Sequence, residues 1–419
     1  MIYVVVGSGP AGVVATEQIR KLDPLANITL IGAEPEPPYS RMAIPYYLTT
    51  KIDESGTYLR KQNAHYDNLN INVVQQRATS IDTEFNRLIT DDGVVRRYDK
   101  LLIATGASPV VPPVPGIDSP GVHNCWTLED AREIIKLAKP GASVVLMGAG
   151  FIGCIILESL ALRDVDLTVV EMENRMVPRM MNDVSGNMIK SWCELKGVKV
   201  HTSTRAESIE QVGGGKLRVS LSTGQSVDAD LVISATGVAS NMGFAVDSGL
   251  RTDQGIVVND YLQTSDADIY AAGDVCQGKD FNTGEYSVQA IQPTAVEHAK
   301  VAATNMVRGH RTEHVGNLNM NVLDTIGLVS ASFGMWMGVP GGESAELVNE
   351  KEHKYLSLQF KDDVLVGASS LGLTQHVGVL RGLIQSKTKL GPWKERLKKD
   401  PLRLMEAYLA CSQSQVSAA

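Results

Sequence analysis

An α/β chain with two parallel-sheet units and a third, mixed segment is what this sequence predicts, and three observations predict it. A short apolar run that turns through a glycine-rich loop into a helix occurs twice, first at Ile2 and again at Val144. Two more apolar runs, "LLIATG" and "LVISATG", end in Ala-Thr-Gly, as strands buried on both faces do when they enter a loop. From about residue 316 the pattern changes to longer strand-like runs followed by helical ones.

The first unit is "IYVVVGSGPAGVVATEQIRKLDPLANITLIGAE". Ile2 to Val6 predict a buried strand, Pro10 to Leu22 a helix, and Ile28 to Ile31 a second strand ending near Glu34. Gly7, Gly9 and Gly12 give the G-x-G-x-x-G spacing between strand and helix. Gly7 permits the tight turn, Gly9 lets a pyrophosphate approach the backbone, and Gly12 lets helix and strand pack closely. The helix N-terminus offers unpaired N–H groups and a positive dipole end to that pyrophosphate. Glu34 stands where a carboxylate accepts hydrogen bonds from an adenosine ribose.

The second unit, "ASVVLMGAGFIGCIILESLALRDVDLTVVEMENR", repeats the plan. Val144 to Met147 form the strand, Gly148, Gly150 and Gly153 the turn, and Leu167 to Val170 the next strand, ending at Glu171. An acidic terminus favours a free ribose 2′-hydroxyl over a 2′-phosphate, so NADH is expected over NADPH, although Arg175 lies close enough in sequence to weaken that inference. Two such units suggest that one dinucleotide hands electrons to another; the alternative is that one site is vestigial.

Composition narrows the class. Hydrophobic residues make up 43% and charged residues 21%, as in ordinary globular proteins. A formal net charge of −8 argues against a general nucleic-acid binder. No run reaches the roughly 18 apolar residues of a membrane span. The sequence enters the first motif at once, without a basic region or a cleavage site, so no signal peptide is expected and the cytoplasm is the expected compartment. Five cysteines, Cys125, Cys154, Cys193, Cys276 and Cys411, show neither C-x-x-C nor metal-ligand spacing, and the histidines show none either. No metal site and no disulfide framework are expected, and His298 is given a structural or solvated role. "KERLKKD" reads as a solvated helix face, and Met335-Trp336-Met337 as core, interface or pocket wall.

With "TSDADIYAAGDVCQ", which runs a strand into Gly273-Asp274, five ordered motifs are in place. Together they resemble the FAD-dependent pyridine nucleotide-disulfide oxidoreductase superfamily. It includes NADH:rubredoxin and ferredoxin reductases, NADH oxidases, coenzyme A disulfide reductases and the N-terminal part of NADH nitrite reductases. The resemblance implies two Rossmann-like dinucleotide-binding domains, one for FAD and one for NAD, plus a C-terminal α+β dimerisation domain. The FAD domain is expected at 1–113 and 242–315, the NAD domain at 114–241, the interface domain at 316–411 and a disordered tail at 412–419, with turns where the chain crosses between the first two. It implies FAD contacts at Gly7, Gly9, Pro10, Ala11, Gly12, Glu34, Arg41, Pro45, Ala78, Thr105, Gly106, Gly273, Asp274, Thr294 and Ala295. Asp274 is expected to bond the ribityl chain or to reach the pyrophosphate through water. The helix after "IQPT" is expected to aim its positive end at the flavin. NAD contacts are implied at Gly148, Gly150, Phe151, Ile152, Gly153, Glu171 and Gly237. Tyr39 is expected to join Arg41 at the flavin edge or the pyrophosphate.

The chain departs from this family in "SRMAIPYYLTT". Disulfide-reducing members carry a cysteine where Met42 stands, and a thioether forms no thiolate. Ferredoxin-reductase-like members pair a lysine with a glutamate; these positions hold Tyr46 and Ile155 here. Losing both partners together leaves no unpaired buried charge. Tyr46, Met42 and Glu158 (one turn beyond Ile155) remain the catalytic candidates. The expectation is a homodimer that oxidises NADH and passes electrons from the flavin directly to a rubredoxin- or ferredoxin-like carrier. Two alternatives stand beside it. One is an NADH oxidase or a CoA-disulfide or persulfide reductase that uses a displaced cysteine such as Cys276. The other is an electron-transfer or interaction subunit with an altered NAD site.

Overall fold

The computed structural model describes residues 1–62 and 64–416, with side chains described through residue 411. The chain divides into two compact units, residues 1–109 with 238–317 and residues 110–237 with 318–419.

The first unit is built on a five-stranded parallel sheet in the order Ile269–Ala271, Lys100–Ile103, Ile2–Val6, Asn27–Gly32, Ile71–Gln75. Parallel strands need crossover connections and are covered on both faces, which is why these runs are apolar almost throughout. Val4, Val5, Leu101, Leu102, Ile103 and Leu30 are buried there, each contributing roughly 2 kcal/mol of hydrophobic stabilisation. Helix Pro10–Leu22 covers one face; Pro10 starts it, and Arg20 and Lys21 lie in its last turn, where the dipole favours them. It packs against helix Gln292–Arg308 through small residues: Ala11 and Ala15 on the first, Ala295, Ala299 and Ala302 on the second, all buried. Small side chains let the two helix axes come close. Two three-stranded sheets complete the unit, an antiparallel one of Ala78–Asp82 with Arg87–Thr90 and Val95–Arg97, and a mixed one in which Cys276–Lys279 runs parallel to Ile256–Val257 and antiparallel to Tyr286–Val288.

The crossing segments, expected as turns, instead pair as a two-stranded antiparallel ribbon, Ala107–Pro109 with Val238–Ser240. Pro109 sits at the end of its strand, a position that a residue without an N–H tolerates.

The second unit repeats the parallel plan in the order Lys199–His201, Asp166–Val170, Ser143–Met147, Leu231–Ser234, Val122–His123. Its C-terminal segment forms a five-stranded antiparallel sheet, Met320–Thr325, Leu328–Gly334, Val364–Leu371, Lys354–Lys361, Glu343–Asn349, followed by helices Val377–Gln385, Pro392–Lys399 and Leu404–Val416. That segment, expected as a domain of its own, shares a compact unit with the inserted one. The Trp192 indole donates to the carbonyls of Thr325 and Ile326, and Asn182 donates to the Tyr355 hydroxyl. Of the expected tail at 412–419, the last helix includes residues up to Val416, and 417–419 lie outside the described residues. "KERLKKD" is more than a solvated face: Leu397 is buried, and Lys394 and Lys398 both pair with Glu343. Among the described residues no helix is long and apolar enough to cross a membrane.

Candidate functional site

Each unit carries a glycine cradle at the C-terminal end of the central strand of its parallel sheet. In the first, Gly7 has φ +112°, and a Cβ added there would lie 2.0 Å from the Ala104 carbonyl oxygen. A Cβ on Gly12 would lie 1.8 Å from the Gly7 oxygen. Between them, Gly9 faces open space, with no atom within 4 Å of an added Cβ. Two glycines are thus closed by backbone, and the third opens a gap at the start of helix Pro10–Leu22. That helix has no side-chain cap and no acidic residue in its first turn, so its leading N–H groups and dipole face the gap uncompensated. Helix Leu128–Leu137 shows the contrast: Thr127 and Asp130 close its start as a capping box.

Around this cradle the expected residues take definite places. Glu34 forms an ion pair with Arg41 at 2.5 Å and accepts a hydrogen bond from the Tyr39 hydroxyl, while Arg41 also donates to that hydroxyl at 2.8 Å. The ribose acceptor inferred from sequence is therefore held by a cation and a phenol from the "YSRM" loop. Gly273 has φ +80°, a conformation that favours glycine, and an added Cβ would press on Ala295 at 3.2 Å and touch Ala11 at 3.5 Å. Asp274 follows it, half-buried; burial pushes its carboxyl up to about 6, while the Arg41 charge pulls it down. The Ser240 hydroxyl donates to the Asp274 carbonyl at 2.8 Å. Helix Gln292–Arg308 begins without a side-chain cap, with Thr294 and Ala295 buried in its first turn, and Ser40 donates to Gln292 at 2.7 Å.

Thr105 and Gly106 are tied to Asn241, a residue that sequence reasoning left unassigned. The Thr105 hydroxyl donates to the Asn241 carbonyl at 2.8 Å, and the Asn241 amide donates back at 3.0 Å. Ala78 begins a strand of the small antiparallel sheet, opposite Thr90, and Pro45 lies in the first turn of the short helix Ile44–Leu48. Met42 and Tyr46 are 48% and 54% exposed. Cys276 is fully buried; burial and the Asp274 charge push its thiol far above its ordinary range. His298, given only a structural or solvated role from sequence, is also buried and touches this loop. The signal that could have found it is the i, i+4 series Thr294, His298, Ala302 along one helix face.

In the second unit, a Cβ on Gly148 would lie 2.5 Å from the Ala235 oxygen and one on Gly153 2.1 Å from the Gly148 oxygen, while Gly150 is open. Helix Phe151–Ala161 again starts without a cap or an acidic first turn. Glu171 is buried, and its two carboxylate oxygens accept from the backbone N–H of Ala149, at 2.5 Å, and of Glu173, at 2.8 Å. The carboxylate thus braces the glycine turn directly. Arg175 is committed within its own loop: its guanidinium pairs with Asp183 at 2.7 Å and donates to Asn174, Met181 and Pro178. Gly237, φ +129°, also opens onto free space. Phe151, Ile152, Ile155 and Glu158 are half-buried along the helix. Among the described residues no group of three His, Cys, Asp or Glu could hold a metal ion.

An open glycine, closed flanking glycines and an uncapped helix start are what a dinucleotide pyrophosphate needs, and both cradles fit one. Comparison with known proteins agrees. The family described as pyridine nucleotide-disulphide oxidoreductase matches residues 1–304. The chain is 30% identical over 402 residues to the NADH-dependent phenylglyoxylate dehydrogenase subunit epsilon of Aromatoleum evansii, covering 96% of this chain and 95% of that one. It is 30% identical over 308 residues to the rubredoxin-NAD(+) reductase of Pseudomonas putida, covering 73% and 80%. The solved structure of an NAD-dependent persulfide reductase from A. fulgidus superimposes with a TM-score of 0.85 at 28% identity, covering 94% and 78%. The chain belongs to the pyridine nucleotide-disulphide oxidoreductase family, as an FAD- and NAD(P)H-dependent enzyme.

Proposed function

We propose that this enzyme oxidises NADH and delivers the electrons directly to a redox centre of another protein, in the first instance a small rubredoxin- or ferredoxin-like carrier. FAD is assigned to residues 1–113 and 242–315, the nicotinamide nucleotide to 114–241, and two copies are assembled through the C-terminal segment, where Met337 is 76% exposed. Bound in the first cradle, FAD would supply the chemistry that accepts a hydride and releases its electrons to an acceptor.

One observation carries the choice of acceptor. The single cysteine of the first unit, Cys276, is buried with its thiol pushed far from ionisation, and Met42 stands where relatives place theirs. Thiol relays work through the thiolate, so this unit has none to offer to a disulfide or persulfide. The similarity to a rubredoxin reductase points the same way. Full-length similarity to a dehydrogenase subunit favours a second reading, in which the acceptor is a permanent partner subunit of a larger enzyme.

The test is an anaerobic titration of the FAD-loaded protein with NADH, followed by mixing with oxidised rubredoxin, a [2Fe–2S] ferredoxin, oxygen or a persulfide. Bleaching of the flavin's visible band by NADH is expected, with reoxidation by an iron protein at least about tenfold faster than by oxygen. Absence of bleaching would sink NADH oxidation. Persulfide turnover that disappears in Cys276→Ser would sink direct transfer. Recovery of the native protein in a stable complex with a second redox subunit would select the second reading.

Nucleotide preference forms part of this proposal. Glu171 puts a buried negative charge at the end of its strand, and Arg175, the cation that could have accepted a 2′-phosphate, is engaged with Asp183 and three other oxygens. In Glu171→Gln, the ratio of kcat/KM for NADPH to that for NADH is expected to rise about tenfold, equivalent to 1.4 kcal/mol of relieved repulsion. The variant should also lose some stability. Both carboxylate oxygens accept from backbone N–H, and an amide NH₂ would turn a donor toward one of them. An unchanged ratio would remove Glu171 from nucleotide selection.

A further inference from the structure

We propose that His298 is a positioning residue of the FAD site, whose Nδ1 accepts the Gly273 N–H and so holds the turn that presents Asp274. The inference rests on the assignment of FAD to the first cradle. His298 lies one turn beyond Thr294 on helix Gln292–Arg308 and is 1% exposed. The Gly273 N–H reaches its Nδ1 at 3.4 Å. Gly273 already lies between Ala11 and Ala295, so both cradle helices and this hydrogen bond fix the same turn. An accepting Nδ1 assigns the proton to Nε2.

The surroundings are shaped to the ring. A Cβ on Gly278 would lie 2.4 Å from its Cε1 and 2.6 Å from its Nε2, so a glycine at 278 is what leaves room for an imidazole. The Cys276 sulfur stands 3.6 Å from Nδ1 and 3.4 Å from the Gly273 carbonyl, which leaves the thiol a second acceptor. The His314 ring meets the His298 ring edge to face, with centroids 4.6 Å apart, while its own Nε2 bonds to Asn317.

Nε2 of His298 is buried without a well-formed hydrogen bond: the Asn317 side chain interacts with the ring but is itself held by His314 and Glu297. Leaving a buried polar atom unpaired costs on the order of 1–3 kcal/mol, and a leucine would fill the space without that cost. A histidine here is thus accounted for by what Nδ1 does. Burial holds the ring neutral, with its pKa pushed down to about 3, so the acceptor is present throughout the neutral range.

The experiment measures FAD dissociation constants and the visible circular dichroism of the bound flavin for the full-length wild type, His298→Leu, His298→Asn and His298→Gln. The asparagine carbonyl falls near the position of Nδ1, whereas glutamine carries its polar end one bond further out. His298→Leu is expected to bind FAD about tenfold more weakly, with an altered dichroic band, and His298→Asn to recover to within about threefold of wild type. If the leucine variant does not fold, the two amides carry the test, and glutamine is expected to bind about tenfold more weakly than asparagine. Wild-type affinity in His298→Leu, or equal affinities for asparagine and glutamine, would overturn the proposal. A wild-type protein that binds no FAD would instead overturn the assignment of the cradle itself.

Discussion

Gly12→Ala is expected to unfold or severely destabilise the first unit, while Gly9→Ala, in the same loop, is expected to cost the apo-protein only about 1 kcal/mol and to weaken FAD binding strongly. The two differ in what a methyl group meets. At Gly12 it would lie 1.8 Å from the Gly7 carbonyl oxygen and 3.2 Å from Leu30. The nearer atom is backbone, so no rotamer change relieves the clash, and helix and strand must separate. Overpacking of this kind costs about 1–3 kcal/mol and more where the backbone cannot yield, out of a total stability of about 5–15 kcal/mol. At Gly9 no atom lies within 4 Å, so the only cost is that alanine is a poorer helix N-cap than glycine, by about 1 kcal/mol. The methyl would instead occupy the gap through which a pyrophosphate reaches the helix N-terminus, with an expected loss of about 100-fold in FAD affinity. Denaturant midpoints of the apo-proteins and FAD titrations separate the two effects. Equal destabilisation by both substitutions, or undiminished FAD binding in Gly9→Ala, would remove the cradle from the site. Gly153 and Gly150 repeat the contrast in the second unit, with NADH as ligand: the first is closed at 2.1 Å and the second open.

That contrast also explains what the sequence could and could not reveal. Glycine spacing, strand runs and helix starts are local properties, set by φ and by close approach within a few residues, so both cradles were legible before any coordinates. The parallel registers follow from them, since Val6 beside Ile31 and Met147 beside Val170 place each acidic residue just past its strand. Partnerships across loops were not legible. Glu34 has the residue type and position of a ribose acceptor, yet nothing local says that Arg41 and Tyr39 hold it. The ribbon of Ala107–Pro109 with Val238–Ser240 was hidden because a three-residue strand containing proline has the composition of a turn. Glu171 is acidic by sequence, but its bracing of Ala149 depends on burial, which sequence does not give. The C-terminal sheet associates with the inserted segment through strand Met320–Thr325 packing on helix Phe151–Ala161 and hydrogen bonds such as those of Trp192, which leave no periodic trace.

Asp274→Asn is expected to make the cofactor-free protein more stable at pH 7, because burial disfavours the ionised carboxylate, and, under the proposed assignment of FAD to this cradle, to weaken FAD binding. Its pKa is raised from 3.8 to about 6 by burial, against the pull of Arg41. Between those values the native state holds a proton that the unfolded state has released, so stability falls as pH rises through about 6. Above it the ionised carboxylate costs up to about 3 kcal/mol, and a neutral asparagine avoids this cost. His298 works in the opposite sense. Its pKa is lowered from 6.5 to about 3, so below about 6.5 the unfolded state takes up a proton that the native state refuses, and stability falls as pH drops. From about pH 6 down to about pH 4 these two contributions nearly cancel each other, so the wild type's slope there is left to other groups such as His314, whose pKa burial also lowers. Asp274→Asn removes one side of the balance. The variant should gain about 2–3 kcal/mol over wild type at pH 7 and give that gain back at up to about 1.4 kcal/mol per pH unit below about 6, as His298 is left unopposed. Urea midpoints at pH 4, 5, 6 and 7 measure both arms. Parallel profiles for variant and wild type, or no gain at pH 7, would mean that Asp274 is not the strained group. With FAD present the order should reverse if bound FAD would donate hydrogen bonds to the carboxylate, since an asparagine amide would accept only part of them.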